Sequence, residues 1–247
     1  MTAQIAAELL KLRTTRLLLL TTCVAVGFAA LVPALGTWDP EGFGVAPLTS
    51  ASLTDMMRAP AHVVAGAALV LGIVAATGEH AHRTILTTRL VQPDPIRVLA
   101  AKATALGIVG AGLAALAEAT AAVVGTIGLA RHGLGAHPLG DGRPGVALTV
   151  ILLAAAFAAL GTALGSIVRN TALAVGAALV WALLIEEALP GLTGDPDLGR
   201  WLPAGTIDQL VTLQPAGPSP AAAALALIGY TAAAMLLATL SDTRRDP

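Results

Sequence analysis

The protein has 247 residues, of which 56% are hydrophobic and only 12% are charged, whereas a soluble domain carries about 25% charged residues. This composition excludes a disordered or collagen-like chain, and the net charge of -1 gives no electrostatic reason to expect nucleic-acid binding. The lone cysteine, Cys23, excludes an intrachain disulfide. The sequence therefore predicts an all-α membrane protein with several spans.

Residues 1–16 have the pattern of an amphipathic helix. Ile5, Leu9 and Leu12 share one face. Polar residues lie on the other face: Gln4, Glu8, Lys11 and Thr15. We predict a cytoplasmic interface helix along the inner membrane surface; a basic flank that only fixes topology is the alternative. The basic residues before an apolar run are also typical of a secretory signal peptide, although this run exceeds the usual 7 to 15 residues.

Six apolar stretches are candidates to cross the bilayer. They occupy residues 17–35, 61–77, 103–129, 146–168, 171–189 and 221–240. The fifth stretch is short, because only residues 171–185 precede Glu186 and Glu187, and at ~1.5 Å per residue they reach roughly 22 Å of a core about 30 Å thick. Since Pro190 and Gly191 follow, we expect a kinked, partly re-entrant extracellular segment between spans five and six. A short helix in a locally thinned bilayer is the alternative.

The distribution of charge predicts the orientation of these spans. With the N-terminus inside, ten of the fourteen Lys and Arg residues lie on the cytoplasmic side, and nine of the fifteen acidic residues lie outside. We therefore predict that both termini are cytoplasmic. Residues 17–240 would form one six-span transmembrane domain, and residues 241–247 would form a cytoplasmic tail.

The longest charged cytoplasmic loop is predicted at residues 78–102. Its stretch 83–91 can form two helical turns that end before Pro93 and Pro95, because proline lacks a backbone N–H and its ring blocks a helix interior. A short helix tethered between two spans suits the transmission of force. An ordinary hairpin loop, whose arginines only hold the topology, is the alternative.

Four short motifs occur in order along the chain: 8–16, then 77–79 with Thr84 and Ile85, then Pro93 with 97–102, and finally 164–170. Together with the six spans they resemble the type 2 ABC exporter permeases common in high-GC Gram-positive bacteria. In that family, six helices form half of a dimeric pore and re-entrant extracellular helices precede the sixth span. The chain departs from the family at His80, Arg83 and Leu86, where an aromatic or apolar residue, a Gly and often an Arg are usual.

The resemblance implies a transporter that is driven by ATP hydrolysis in another subunit. The phosphate-binding signature G-x-x-x-x-G-K-[ST] does not occur in the sequence. We therefore expect no enzymatic activity in this chain, with ATP and Mg on two copies of a partner ATPase. A second permease copy or a related permease would complete the pore, in the cytoplasmic membrane of a bacterium. Hydrophobic or amphipathic small molecules, peptides and lipids all stay open as substrates.

The resemblance also assigns residues to roles. The loop that couples to the ATPase would comprise Glu79, His80, Arg83, Thr84, Ile85 and Arg89. The interface helix would brace that contact through Glu8, Lys11, Arg13 and Arg16.

Three further acidic residues are of interest for transport. Glu118 lies near the middle of the third span, and because an ionisable group there costs at least ~2.5 kcal/mol, it should face the bundle or a wet cavity. It is a candidate for the translocation path, or a hydrogen-bonded structural residue. An ATPase-independent secondary transporter or channel that uses Glu118 for ion coupling is the alternative function. Glu186 and Glu187 are candidates for an extracellular gate, or a solvated helix end.

No catalytic or metal-binding constellation is convincing in the sequence. His80 and His82 lie two positions apart and do not share a helix face. Asp195 and Asp197 lack the remaining ligands of a calcium loop.

Overall fold

The computed structural model of the protein describes residues 1–13, 15–81, 94–195, 197–212 and 217–245, without the side chains of residues 80, 81, 244 and 245. These residues form helices and connecting turns and contain no strand, which confirms the all-α prediction. In chain order the helices are α1 (Thr2–Arg13), α2 (Arg16–Trp38), α3 (Ser52–Arg58), α4 (Ala61–Ala81), α5 (Pro95–Arg131), α6 (Arg143–Val168), α7 (Thr171–Val180), a π-helical turn (Trp181–Ile185), α8 (Glu186–Thr193), a 3-10 turn (Leu198–Trp201), α9 (Pro203–Thr212) and α10 (Pro220–Arg245).

Within the described ranges, six helical segments are long and apolar enough to cross a membrane, as predicted. They are Arg16–Trp38, Ser52–Glu79, Pro95–Arg131, Arg143–Val168, Thr171–Thr193 and Pro220–Thr243. The third segment begins earlier than the apolar stretch from residue 103. Asp94 caps it, because its side chain accepts the N–H groups of Ile96 and Arg97, and Pro95 occupies the first helical turn, where a missing N–H costs nothing.

The fifth segment is longer than its uncharged stretch suggested. Helix α7 continues through the π-helical turn into α8, so the segment has 23 residues and spans roughly 35 Å at ~1.5 Å per residue. Glu186 and Glu187 do not end it, and Pro190 lies inside α8. The chain then returns through the 3-10 turn and α9, which packs against α4, α6 and α10.

Helices α4 and α6 form the centre of the bundle. Their backbones lie unusually close together. A Cβ atom on Gly72 would lie 2.7 Å from the backbone N of Thr162, and one on Gly165 would lie 2.6 Å from the carbonyl O of Ile73. A Cβ atom on Gly161 would overlap the carbonyl of Leu69. Small residues permit such close approach of helices in lipid. Gly161 and Gly165 therefore serve packing within the chain.

The other helices surround this centre and expose apolar side chains. In the second and fourth spans, 56% of the most apolar 18-residue stretch is buried inside the bundle. In the fifth span, only 11% of that stretch is buried. The exposed residues of the fifth span include Leu173, Leu183 and Leu184. An apolar surface of this kind suits contact with lipid tails, since backbone groups within a helix pair with one another.

Contacts between helix ends define two ends of the bundle. Thr77 near the end of α4 contacts Thr171 at the start of α7, with 2.7 Å between their hydroxyl oxygens. Arg169 after α6 pairs with Asp242 near the end of α10 at 2.5 Å. Helix α1 contacts the same end through Glu79. We call this end the ring end, after the charge ring described below, and the other the opposite end.

Candidate functional site

Four charged side chains from three helices form a closed ring at the ring end. Glu8 and Lys11 come from α1, Glu79 from the end of α4 and Lys102 from the start of α5. Lys11 Nζ lies 2.6 Å from Glu8 Oε1 and 2.9 Å from Glu79 Oε1. Lys102 Nζ lies 2.6 Å from Glu79 Oε2 and 3.3 Å from Glu8 Oε2. The charges alternate around this charge ring, so it has no net charge.

Most of the charge ring is shielded from water. The side chain of Lys102 is 6% exposed and that of Glu79 is 10% exposed, whereas that of Lys11 is 47% exposed. Burying a charge is costly unless a partner of opposite sign compensates it. Each carboxylate in the ring contacts two ammonium groups, which is how the three helix ends tolerate these charges together.

Lys11 closes the exposed side of the charge ring. Partial burial lowers the pKa of its ammonium group, but the hydrogen bonds to Glu8 and Glu79 and the charges of these carboxylates raise it more. The pKa therefore stands above its ordinary value. Lys11 stays charged throughout the neutral range, and the ring persists there as an array of ion pairs.

Helix α1 is placed differently from a helix with one apolar and one solvated face. Leu12 is buried in the main core, as its apolar face predicts. Glu8 and Lys11, however, contact α4 and α5 through the ring, although the side chain of Lys11 stays half exposed. The physical reason is that both faces find partners, since the polar face meets the two charges that end α4 and begin α5. Arg13 and Arg16 are exposed.

The residues predicted to couple to an ATPase fall into two groups. Glu79 is buried and is held in the charge ring, so its carboxylate positions the helix end. His80 belongs to α4, but its side chain is outside the described part of the structure. Arg83, Thr84, Ile85 and Arg89 also lie outside the described residues.

Glu118 lies inside α5, away from the charge ring. It is 2% exposed, and neither carboxylate oxygen has a hydrogen-bond partner among the described residues. It shares a helix face with Gly125, because seven residues make about two turns. A Cβ atom on Gly125 would meet Leu53 and Pro33, which places this face of α5 towards α2 and α3. The inward direction expected for Glu118 is found.

The two acidic residues of α8 have different environments. Glu186 is buried, and its Oε2 accepts the backbone N–H of Ala204 at 2.8 Å, at the start of α9. Glu187 is exposed. Glu186 thus joins the fifth span to the returning helix α9 and is not a solvated helix end. Its contact satisfies an N–H group that α9 cannot pair internally.

The sequence did not reveal Lys102 as a ring member, nor Arg143 and the Arg169–Asp242 pair. Arg143 is 1% exposed and donates hydrogen bonds to the carbonyls of Ser50 and His137 at the opposite end. These cations had entered the sequence reasoning as markers of topology and, for Lys102 and Arg169, as parts of the motifs 97–102 and 164–170, but without partners. Their position at the end of an apolar span was a signal, but their partners lie many residues away.

Comparison with known proteins assigns no family. No protein-family model and no curated protein matches the chain. The described residues also contain no group of three or more His, Cys, Asp or Glu side chains placed to hold a metal ion.

Proposed function

We propose that this multi-pass membrane protein is the permease subunit of an ATP-driven exporter. The charge ring carries the proposal, because it joins both stems of the segment 82–93 to α1 at one point. The resemblance of four motifs to exporter permeases supports it, as does the lack of a phosphate-binding signature in the sequence. ATP and Mg would be bound by a separate ATPase subunit.

The position of the charge ring suits it to pass on a displacement. Glu79 is among the last residues of α4 before this segment, and Lys102 lies in the second turn of α5 after it. Since both belong to the same ring, a force on the segment acts on α4 and α5 together. Helix α4 then contacts α6 backbone to backbone at Gly72 and Gly161, so the displacement reaches the centre of the bundle.

The proposal includes partners that complete the transporter. Two ATPase copies would dock at the ring end, which the excess of Lys and Arg assigns to the cytoplasm. A second permease copy, or a related permease, would enclose the path, because the core of this chain is filled by closely packed helices. The cargo would be a hydrophobic or amphipathic small molecule, a peptide or a lipid.

Copurification from membranes of the native host tests this proposal. The tagged chain, extracted in mild detergent, is expected to bring down an ATP-hydrolysing subunit that mass spectrometry identifies. A Glu79→Ala/Arg83→Ala variant is expected to lose that subunit or its activity. The control is Arg131→Ala, an exposed arginine at the opposite end of α5. If no ATPase copurifies with the unaltered chain in several mild detergents, the proposal is wrong.

A second candidate function is an ion-coupled secondary transporter or channel without an ATPase. Glu118 favours it, because a buried carboxyl group with no partner among the described residues is costly and is often retained for function. Proton flux into liposomes that contain the purified chain tests this candidate. It predicts flux from the chain alone and its loss in Glu118→Gln, whereas the exporter proposal predicts no flux in either protein.

A further inference from the structure

A cavity of about 310 Å³ opens at the opposite end of the bundle, between α3, the start of α4 and α9. At ~30 Å³ per water molecule it has room for about ten waters, and it lies at the lower end of the ~300 to 1,000 Å³ typical of ligand pockets. Its lining includes Asp55, Arg58, Ala59, His62, Asp208 and Val211. None of these residues takes part in the charge ring.

The lining carries charged groups of both signs. Arg58 Nη1 lies 3.1 Å from Asp55 Oδ1, within one turn of α3. His62 Nε2 lies 3.6 Å from Asp208 Oδ1, which brings α4 and α9 together but exceeds a hydrogen-bond distance. Both side chains of this second pair are about half exposed, and the side chain of Asp55 is 70% exposed. A ligand can therefore reach Asp55, His62 and Asp208.

Arg58 has donor capacity that the protein does not use. Its Nε is buried and has no hydrogen-bond partner among the described residues. The guanidinium group has five N–H donors, and the described contact with Asp55 engages only Nη1. A planar guanidinium with free donors prefers a carboxylate or phosphate as its partner. A small movement of Arg58 towards such a group would also satisfy the buried Nε.

The arrangement of charges selects the class of ligand. A purely anionic ligand would meet the carboxylates of Asp55 and Asp208, and a purely cationic ligand would meet Arg58. A zwitterion avoids both repulsions, because its anionic group can pair with Arg58 while its cationic group pairs with a carboxylate of the lining. We propose that this cavity binds a phosphate–ammonium head group, with the phosphate on Arg58 and His62 and the ammonium on Asp55 and Asp208. This proposal does not rest on the exporter function.

The position of the cavity points to the source of such a head group. His62 is the second residue of α4 and of the apolar stretch 61–77, and Ala59 and Val211 add apolar surface to the lining. Lipid head groups lie just outside the hydrocarbon core, at the depth where spans begin. Phosphatidylethanolamine carries this head group on a lipid, and phosphoethanolamine carries it in solution.

Native mass spectrometry of the delipidated full-length chain tests the proposal. The protein is titrated separately with phosphatidylethanolamine and with the anionic lipid phosphatidylglycerol, and bound molecules are counted. Soluble phosphoethanolamine is titrated in a parallel experiment by ligand-observed NMR. We expect saturable binding of the ethanolamine lipid, weakened about tenfold or more in Arg58→Gln and in Asp208→Asn, as loss of a charge-assisted contact predicts.

Controls separate a site from general lipid adhesion and from misfolding. Arg131→Gln removes an exposed arginine from the same end of the bundle and is expected to bind like the unaltered chain. Asp208→Asn keeps the shape of the side chain, and thermal unfolding of each variant shows whether it is folded. If soluble phosphoethanolamine binds with the same dependence on Arg58, the head group alone suffices; if only the lipid does, its acyl chains contribute.

Three results would overturn the proposal. The first is binding of phosphatidylethanolamine that is equal in Arg58→Gln, Asp208→Asn and Arg131→Gln. The second is no binding of phosphatidylethanolamine at all. The third is equally tight binding of phosphatidylglycerol with the same dependence on Arg58 and Asp208, because the site would then select anions and not zwitterions.

Discussion

At the ring end, buried charged side chains pair with one another, whereas at the opposite end the buried side chains of Arg143 and Glu186 bond to the backbone. Lys102 contacts both Glu8 and Glu79. Arg143 pairs with the exposed Asp141 and also donates to the carbonyl of Ser50 at 2.6 Å, and Glu186 accepts the N–H of Ala204. A bond to one carbonyl or N–H fixes one loop geometry. A ring of side-chain charges, in contrast, can exchange partners when helices shift, so the ring end suits movement and the opposite end suits rigidity.

The middle of the bundle follows neither pattern. Glu118 is as buried as Arg143, but its carboxylate oxygens have no partner among the described residues. The comparison therefore predicts a different response to substitution in each region. Measurements of the free energy of unfolding in detergent, by thermal or denaturant unfolding, give the scale on which the following variants are compared.

The largest effect is expected at the charge ring. Lys102→Met leaves the buried carboxylate of Glu79 with Lys11 as its remaining described cation, and breaking a buried pair costs about 3 to 5 kcal/mol. The double variant Glu79→Gln/Lys102→Met removes both charges and is expected to recover most of that loss. A double variant no more stable than Lys102→Met would show that the two charges are not coupled.

Arg143→Gln tests the hydrogen bonds to the backbone at the opposite end of the bundle. The carbonyl oxygens of Ser50 and His137 lose their donor in a buried site, and we expect a loss of about 2 to 3 kcal/mol. Arg131→Gln, at an exposed position, is the control and should change the free energy of unfolding by less than about 0.5 kcal/mol. Equal effects of both substitutions would contradict the role of Arg143.

Gly161→Ala tests the close approach of α4 and α6 that links the two ends. The added methyl group would overlap the carbonyl of Leu69, so the helices must separate at a cost of about 1 to 3 kcal/mol. Gly112→Ala serves as the matched control, because no atom outside its own helix lies within 4 Å of the added group. We expect that substitution to be neutral or slightly stabilising. Similar losses in both variants would argue against tight packing at Gly161.

The smallest effect is expected in the middle of the bundle. Glu118→Gln keeps the shape of the side chain and removes no described hydrogen bond, so the free energy of unfolding should change by less than about 1 kcal/mol. Glu118→Leu, which removes the unpaired polar group, should stabilise the chain. Destabilisation by more than about 2 kcal/mol in both variants would reveal a partner for Glu118 and a structural role.

Local features of the sequence were sufficient to predict the six spans. A membrane span is a run of consecutive apolar residues, so the number of spans could be read from the sequence. The inward direction of Glu118 followed from its position within such a run. The early start of α5 was missed because Pro95 was interpreted as a helix end, although proline also favours the first turn. The fifth span runs on to Thr193, past the predicted end at residue 189, and it carries Glu186 because the carboxylate of that residue is paired with the backbone of α9.

The charge ring could be predicted only in part. Glu8, Lys11 and Glu79 were selected from motifs, but the contact of Lys11 with Glu79 joins residues 68 positions apart. No periodic pattern connects such distant positions, and the sequence gives no rule for which charges meet. Arg143 and Asp242 were missed for the same reason, since a residue's partner depends on how the helices pack.

ATP hydrolysis by the copurified complex in lipid nanodiscs tests the central claim most directly. The unaltered chain is compared with Glu79→Gln/Lys102→Met, which neutralises half of the charge ring and is expected to stay folded. The account predicts that the ATPase subunit stays bound to this variant. The change in hydrolysis rate that the permease causes should fall about fivefold or more, because a coupling free energy of ~1 kcal/mol between two sites corresponds to about that factor. An unchanged hydrolysis rate in that complex would contradict the proposal that the ring transmits displacement between the ATPase and the helices. The absence of any ATPase from the unaltered complex would contradict the exporter function itself.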